Sequence, residues 1–174
     1  MTQPQLKHTN TTPTTAPTTP PKFSRNHAAN TSIEHQLCTV LADTYLLMLN
    51  TQGLHWNGEG RAFYGLHKLT EEQYQALFAA IDDIAERVRA MGHPAPQSFA
   101  QLDRLATLDT LTPATPVPTQ LERLAEMNLE LARRIKTVIA EAETVGDIAT
   151  SDLLGARVRI HEKAAWLLRA VAQD

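Results

Sequence analysis

Apolar residues recur every three or four positions along most of this chain, which is the period of an α-helix. The first such stretch begins at a capping box, Thr31 with Glu34, and predicts a helix that runs to about Trp56. After a break at two glycines, a second helix is predicted from about Arg61 to Met91. The apolar faces comprise Leu37, Val40, Leu41, Thr44, Met48 and His55 in the first helix, and Leu77, Ile81, Ile84, Val88 and Met91 in the second.

Two more helices are predicted in the last third of the chain. One follows a second capping box, Thr119 with Glu122, and ends at Gly146; the other runs from about Ile148 to Ala172. The apolar face of the third helix comprises Leu121, Leu124, Asn128, Leu131, Ile135, Val138, Ala142 and Val145. No stretch alternates apolar and polar residues as a β-strand does, so the pattern predicts an all-α protein.

A long segment, residues 92–118, separates the two pairs of helices and is interrupted by prolines. It is long enough to cross the length of a helix bundle, and a short helix capped by Ser98 is expected over Ser98–Leu105. The first and third connections are short, so the helices within each pair should be antiparallel neighbours. One long crossover is typical of ferritin-like bundles. The predicted fold is a ferritin-like four-helix bundle domain, residues 31–174, with a short helix in the second-to-third-helix crossover.

Charge is unevenly distributed along the 174 residues, whose net charge is −3. Residues 1–33 contain Lys7, Lys22 and Arg25 and no acidic residue. This segment is rich in threonine and proline, and it cannot bury enough apolar surface to offset the entropy of ordering. Residues 1–30 are therefore predicted to form a disordered, mildly basic tail.

Composition also excludes several classes of protein. A single cysteine, Cys38, excludes a disulfide framework and a cysteine-based zinc site. No apolar run approaches the roughly 20 residues that a membrane span needs, and the N-terminus lacks the apolar stretch of a signal peptide. These features predict a soluble, cytoplasmic protein without a membrane partner.

The second predicted helix has a polar stripe beside its apolar face. At 100° per residue the stripe spans about 100° and contains His67, Glu71, Phe78, Asp82 and Glu86. Two pairs within it are four residues apart, His67 with Glu71 and Asp82 with Glu86, so each pair could chelate one metal ion. A solvated flank is the simpler explanation of such charges, and a lone histidine such as His55 is more often a hydrogen-bonded core residue.

Helix geometry makes the metal hypothesis specific. The rise of 1.5 Å per residue places Glu71 roughly 16 Å from Asp82, so one chain cannot bring both pairs to the same ion. An antiparallel copy of the helix, related by a two-fold axis near residues 76–77, would create two equivalent sites about 22 Å apart. None of the seven histidines follows a glutamate by three residues, so the Glu-x-x-His helices typical of a di-iron site inside one subunit are lacking.

Three separated segments resemble the ferroxidase signature of the Dps family, the mini-ferritins also called DNA-binding proteins from starved cells. The segments are His55-Trp56-Asn57, then His67-x-x-x-Glu71-Glu72-Gln73-Tyr74, then Asp82-x-x-x-Glu86-Arg87. The stretch from Asp147 to Arg169 is also similar to the last helix of the family. The resemblance covers about residues 33–172.

This resemblance implies a hollow homododecamer built from two-fold dimers, with iron sites at the dimer interfaces. Asp82 and Glu86 would bind one iron together with His55 of the partner subunit. His67 and Glu71 would complete a second position. The family oxidises Fe(II), preferentially with hydrogen peroxide, and stores the ferric mineral in its cavity.

Two further residues near the implied site follow from the resemblance. Trp56 resembles the family tryptophan that lies beside the irons and can intercept radical intermediates. Glu71 stands where the family usually has aspartate, and its extra methylene changes the reach of the carboxylate at the second position. Imidazole and carboxylate together select Fe(II), Mn(II) or Zn(II), so zinc is expected as a competing occupant.

A route for iron is suggested at the start of the last helix. Asp147 and Asp152 resemble acidic residues that line the three-fold pores of the family, where carboxylates would concentrate Fe(II). Capping of the last helix explains Asp147 equally well, because this residue follows Gly146.

DNA is the second partner that the family suggests. Many members bind it through a lysine-rich tail, and twelve tails with three cations each could act together on phosphates without reading sequence. A bare Thr/Pro linker is the alternative explanation of the tail. The predicted function is an iron-oxidising, iron-storing mini-ferritin that protects DNA from oxidative damage and is nucleoid-associated if DNA is bound. The alternative is a nucleoid-binding architectural protein with only a secondary metal site.

Overall fold

The computed structural model describes residues 32–112 and 114–173. Within those ranges it contains no β-strand, and it has five helices: α1 (Ile33–Asn57), α2 (Phe63–Ala90), α3 (Phe99–Leu105), α4 (Val117–Thr144) and α5 (Ile148–Ala172). The predicted fold class, an all-α bundle of four long helices with a short helix in the crossover, is confirmed. The predicted tail, residues 1–30, lies outside the described residues. No helix of the described ranges is long and apolar enough to cross a lipid bilayer.

The directions of the four long helices follow from side-chain contacts between them. Residues early in one helix contact residues late in its neighbour, both between α1 and α4 and between α4 and α5. These contacts join Gln36 to Glu141, Asn50 to Met127, Asn128 to His161 and Glu122 to Arg169. α1 is also antiparallel to α2, since His55 near the end of α1 contacts His67 near the start of α2, and α2 and α4 therefore run in the same direction. A connection that crosses the length of the bundle is the necessary consequence.

The core lies along the apolar faces that the helical period predicts. Its fully buried large side chains are Leu37, Leu41, Leu47, Leu54, Ile84, Leu124, Met127, Leu131, Ile135, Leu154 and Leu168, together with the imidazole of His161. Burying one such leucine contributes roughly 1.5–3 kcal/mol, so these faces account for most of the drive to form the bundle. One predicted core residue is wrong: Val145 is 68% exposed, because α4 ends at Thr144 and the chain turns away there.

The helix ends agree only in part with the predicted caps. Ser98 caps α3 as expected, since its side chain accepts a hydrogen bond from the backbone N–H of Gln101 at 3.3 Å. The predicted capping box at Thr119 is wrong, because α4 begins two residues earlier, at Val117. Pro118 explains the difference: proline suits the first turn, where its missing N–H would have no helical partner. Thr31 of the other predicted capping box lies outside the described residues.

Two buried polar side chains of α1 hold the crossover against the bundle. The carboxylate of Asp43, which is fully buried, accepts hydrogen bonds from the Thr107 backbone and hydroxyl at 2.6 and 2.8 Å and from the Leu108 N–H at 3.1 Å. Arg134 of α4 approaches the same carboxylate at 3.0 Å. About two turns further on, Asn50 bonds the backbone of Asp109 and Leu111. The crossover therefore has a fixed path along α1.

Candidate metal centre

A tight turn brings the end of α1 against the start of α2. Gly58 closes α1 by donating its N–H to the Leu54 carbonyl at 2.8 Å. A Cβ at position 58 would lie 2.9 Å from that carbonyl oxygen and 3.1 Å from the Leu66 side chain, so only glycine fits. Gly60 then adopts a φ of 112°, a conformation that side chains with a Cβ rarely adopt. The two glycines thus set the packing of the two helices at the position of the candidate histidines.

Across this turn, His55 and His67 each contact the backbone carbonyl of the other. The Nδ1 of His55 lies 3.0 Å from the His67 carbonyl, the Nδ1 of His67 lies 3.1 Å from the His55 carbonyl, and the rings stack with centroids 3.8 Å apart. A carbonyl can only accept, so both Nδ1 atoms carry the proton and both Nε2 atoms keep a lone pair. Backbone carbonyls that fix the tautomer in this way are the usual support of metal-binding histidines.

The end of α1 explains one of these two contacts. The carbonyl of His55 is one of the last four of that helix, which have no partner within the helix and need another donor. His67 supplies it from α2. The structure therefore brings together two of the predicted ligands, His55, which is only 7% exposed, and His67, which is half-buried.

Three neighbours of the histidines were not predicted as residues of the site. The hydroxyl of Thr70 is buried and lies 3.3 Å from the His55 Nδ1. Tyr74 meets the His55 ring edge-on at 5.1 Å, and Phe63 packs on the His67 ring at 5.3 Å. Thr70 and Tyr74 follow His67 at helical spacing, and Tyr74 also stands in the segment that resembles the ferroxidase signature.

Glu71 lies one helical turn from His67 but is already paired. Its Oε2 accepts from the Lys68 ammonium at 2.8 Å, and the two side chains are 32% and 52% exposed. The Lys68 ammonium, with smaller contributions from His55 and His67, holds the pKa of Glu71 below its usual range. The carboxylate is therefore ionised at neutral pH and available to a cation that displaces lysine.

Asp82 and Glu86 occupy a different part of α2. Both are exposed, one helical turn apart, and Phe78 on the same stripe is 65% exposed. Across residues 32–112 and 114–173, a single chain brings no three His, Cys, Asp or Glu side chains together as a metal site. Trp56, beside His55, is 62% exposed. The histidines and the acidic pair are thus separate half-sites on one chain, each next to exposed aromatic surface.

The two candidate pore residues differ from each other. Asp147 caps α5, accepting from the Thr150 N–H at 3.0 Å and hydroxyl at 2.6 Å, and it pairs with Arg87 of α2 at 2.6 Å. Burial alone would raise the pKa of Asp147, but the hydrogen bonds from Thr150 and Arg87 outweigh it and hold the pKa below its usual value. Asp152 is exposed near the same helix end. The capping explanation of Asp147 is confirmed, and a role in passing iron stays a prediction.

The sequence of the chain is similar to those of known proteins. A family model described as Ferritin-like domain matches residues 34–174. A DNA protection during starvation protein of Agrobacterium fabrum is 31% identical over 135 residues, 77% of this chain and 83% of the relative. A low temperature-induced protein of Nostoc is 36% identical over 132 residues, 75% of this chain and 74% of the relative.

The fold is also similar to solved structures. The DPS protein of Vibrio cholerae O1, described as a member of a broad superfamily of ferritin-like diiron-carboxylate proteins, superposes with a TM-score of 0.75 at 29% identity. The superposition covers 79% of this chain and 87% of that one.

Proposed function

Because the chain belongs to the Dps family of ferritin-like proteins, we propose that it oxidises Fe(II) with hydrogen peroxide and stores the ferric product. Fe(II) and peroxide are the substrates, and the reaction takes place at sites shared between two chains. Each site combines His55, His67 and Glu71 of one chain with the acidic pair of its partner, Asp82 and Glu86.

The observation that carries this proposal is the orientation of the two histidines. Both Nδ1 atoms are engaged by backbone carbonyls, so both Nε2 lone pairs remain for a metal. The carboxylates that would complete the ligand set lie farther along α2, with Asp82 roughly 16 Å from Glu71 by the rise of the helix. A second antiparallel chain removes this separation. It would also cover the exposed aromatic ring of Phe78 on the same stripe.

The ligand set suits oxidation of iron to the ferric state. Neutral imidazole favours Fe(II), and carboxylates stabilise the more highly charged Fe(III) product. Each of two Fe(II) ions gives one electron to peroxide; the O–O bond breaks, and two protons are taken up to give two waters. Two irons held together can supply both electrons without release of a hydroxyl radical. Zn(II) would take the same ligands and act as an inhibitor.

Assembly follows from the shared site. We propose that two-fold dimers associate into a closed dodecamer, in which the exposed carboxylate of Asp152 lies at a passage for Fe(II). Light scattering at neutral pH tests the assembly. A particle no larger than the 19.2 kDa monomer would contradict it.

The direct test removes the acidic half-site. Asp82→Ala with Glu86→Ala should weaken anaerobic Fe(II) binding by more than about 100-fold, since loss of outer-shell partners alone costs 10- to 100-fold. Peroxide-driven oxidation should fall with it. Glu130→Ala with Glu143→Ala removes the same charge from exposed positions of α4 and should change neither. Normal binding by the first double variant would overturn the proposal.

DNA protection by direct binding is the second candidate function, favoured by the names of the curated relatives and by the basic tail. Its cations are Lys7, Lys22 and Arg25, which lie outside the described residues. Replacing all three with glutamine should abolish a gel shift of DNA at low salt and leave iron oxidation intact. An unchanged gel shift would contradict binding through the tail.

A further inference from the structure

We propose that Lys68 competes with the second iron for the carboxylate of Glu71 and so sets how readily that position fills. This inference rests on the proposed function, because it concerns the same site. Lys68 is a positioning residue: it acts on the metal through Glu71. None of the family features that identify the site involves it.

The observation is a direct contact on a proposed ligand. The Lys68 ammonium lies 2.8 Å from Oε2 of Glu71, within hydrogen-bond distance, and this hydrogen bond, together with the charge of the ammonium, is the main cause of the lowered pKa of that carboxyl. The structure pairs no lysine or arginine with Asp82 or Glu86 among its described residues. One half of the proposed site therefore holds a cation of its own, and the acidic half does not.

The pairing depends on the length of both side chains. Residues three apart are neighbours on a helix, and a lysine ammonium on a four-carbon stem can reach back over one turn. Glutamate extends one methylene farther than the aspartate usual in the family, so its carboxylate reaches the ammonium more readily. The same methylene that changes the reach toward iron thus permits the ion pair.

An incoming iron ion must break this pair and then remain close to the displaced ammonium. Exposed ion pairs shift an equilibrium by up to about five-fold, and repulsion between a divalent ion and the ammonium adds to this in the same direction. The first iron binds at Asp82 and Glu86, which Lys68 does not contact. Only the second position should respond strongly.

Anaerobic calorimetric titration of the assembled full-length protein with Fe(II) tests the proposal. Lys68→Met should tighten the second binding event about five-fold and change the first by less than about two-fold. The gain should shrink as ionic strength rises, because the lost pair is exposed. Lys68→Arg keeps the charge and should restore wild-type behaviour. Lys136→Met is the matched control, since Lys136 makes a similar exposed pair with Glu162 at 2.7 Å.

The outcomes separate the two proposals. An unchanged second event in Lys68→Met, with a normal first event, overturns the role of Lys68 and leaves the proposed function intact. An equal gain in Lys136→Met would also overturn it, because the effect would then reflect net charge. Absence of Fe(II) binding by the wild-type protein overturns both.

Discussion

His55 and His67 donate Nδ1–H to each other's backbone carbonyls at 3.0 and 3.1 Å and stack their rings 3.8 Å apart. The two contacts fix the tautomers of both rings and lock the end of α1 to the start of α2. Both Nε2 atoms therefore have a lone pair for a metal ion before one binds. Preorganised ligands of this kind bind metal with little reorganisation.

Shortening Glu71 should improve the second iron position. Glu71→Asp gives the residue usual in the family and should weaken the pair with Lys68, because the shorter side chain brings its carboxylate less close to the ammonium. Affinity for the first iron should stay nearly unchanged while occupancy of the second rises, as measured by anaerobic titration with Fe(II). Glu72→Asp, an exposed neighbour, serves as control. Weaker binding of the second iron would show that the longer side chain is the better ligand here.

Asp147 should matter first for stability. Asp147→Asn keeps an acceptor for the cap but loses the charge that pairs with Arg87, and loss of such an ion pair costs up to about 1 kcal/mol. The folded-state pKa of Asp147 is depressed, so its stabilisation is present above the unfolded value of 3.8 and is lost as pH falls through the folded value. The free energies of unfolding of wild type and variant, measured with denaturant, should therefore become equal at low pH. Equal stability at pH 7 would show that the ion pair with Arg87 does not stabilise the fold.

Asp152 offers the cleaner test of the passage for iron. It is exposed and makes no cap, so Asp152→Asn should leave unfolding within about 0.5 kcal/mol of wild type. Uptake should slow at low Fe(II) concentration, where focusing by negative charge matters most, and recover at high concentration. Stopped-flow oxidation at several Fe(II) concentrations measures this. Identical rates at every concentration would exclude a role in passage.

His161 should make the bundle sensitive to mild acid. Burial, reinforced by the charge of Arg157, lowers the pKa of His161 to about 3 from an unfolded value of 6.5. Between these two pKa values the histidine is protonated in the unfolded chain but not in the folded chain. The free energy of unfolding is therefore highest above pH 6.5 and falls toward pH 3, by up to about 1.4 kcal/mol per pH unit. His161→Gln should be less stable at pH 7, but its free energy of unfolding should change less over this pH range. Denaturant titrations at one fixed protein concentration measure both. Parallel curves would contradict the assignment.

Replacing Asp43 of α1 should loosen the crossover and destabilise the fold. Asp43→Asn keeps an oxygen for the N–H groups of Thr107 and Leu108 but turns its NH2 toward Arg134, which loses its charge partner, a loss of roughly 2–4 kcal/mol. Asp109→Asn is the control, because Asp109 pairs with Arg123 at the surface with 76% of its side chain exposed. Thermal unfolding should separate the two variants clearly. Similar midpoints would show that the buried carboxylate does not hold the crossover.

The helical period alone predicted the four long helices, because apolar faces recur wherever a helix packs on the core. The predicted start of α4 was wrong, because α4 begins at Val117 and Pro118 lies in its first turn, ahead of the apparent cap at Thr119. The partners of Asp43 could not be predicted, since they lie more than 60 residues away and meet it only through the path of the crossover. The candidate ligand residues stood out by spacing, whereas the reciprocal contact of His55 and His67 depends on the turn between the helices.

Mixed assemblies test most directly whether two chains build each iron site. One parent variant carries His55→Ala and His67→Ala, and the other carries Asp82→Ala and Glu86→Ala; neither should bind Fe(II) tightly alone. A two-fold dimer with one chain of each kind keeps one intact site, so random co-assembly should recover about a quarter of the wild-type sites. Anaerobic Fe(II) titration of co-expressed, purified assemblies should show this recovery. No recovery in assemblies that contain both chains would contradict a shared site.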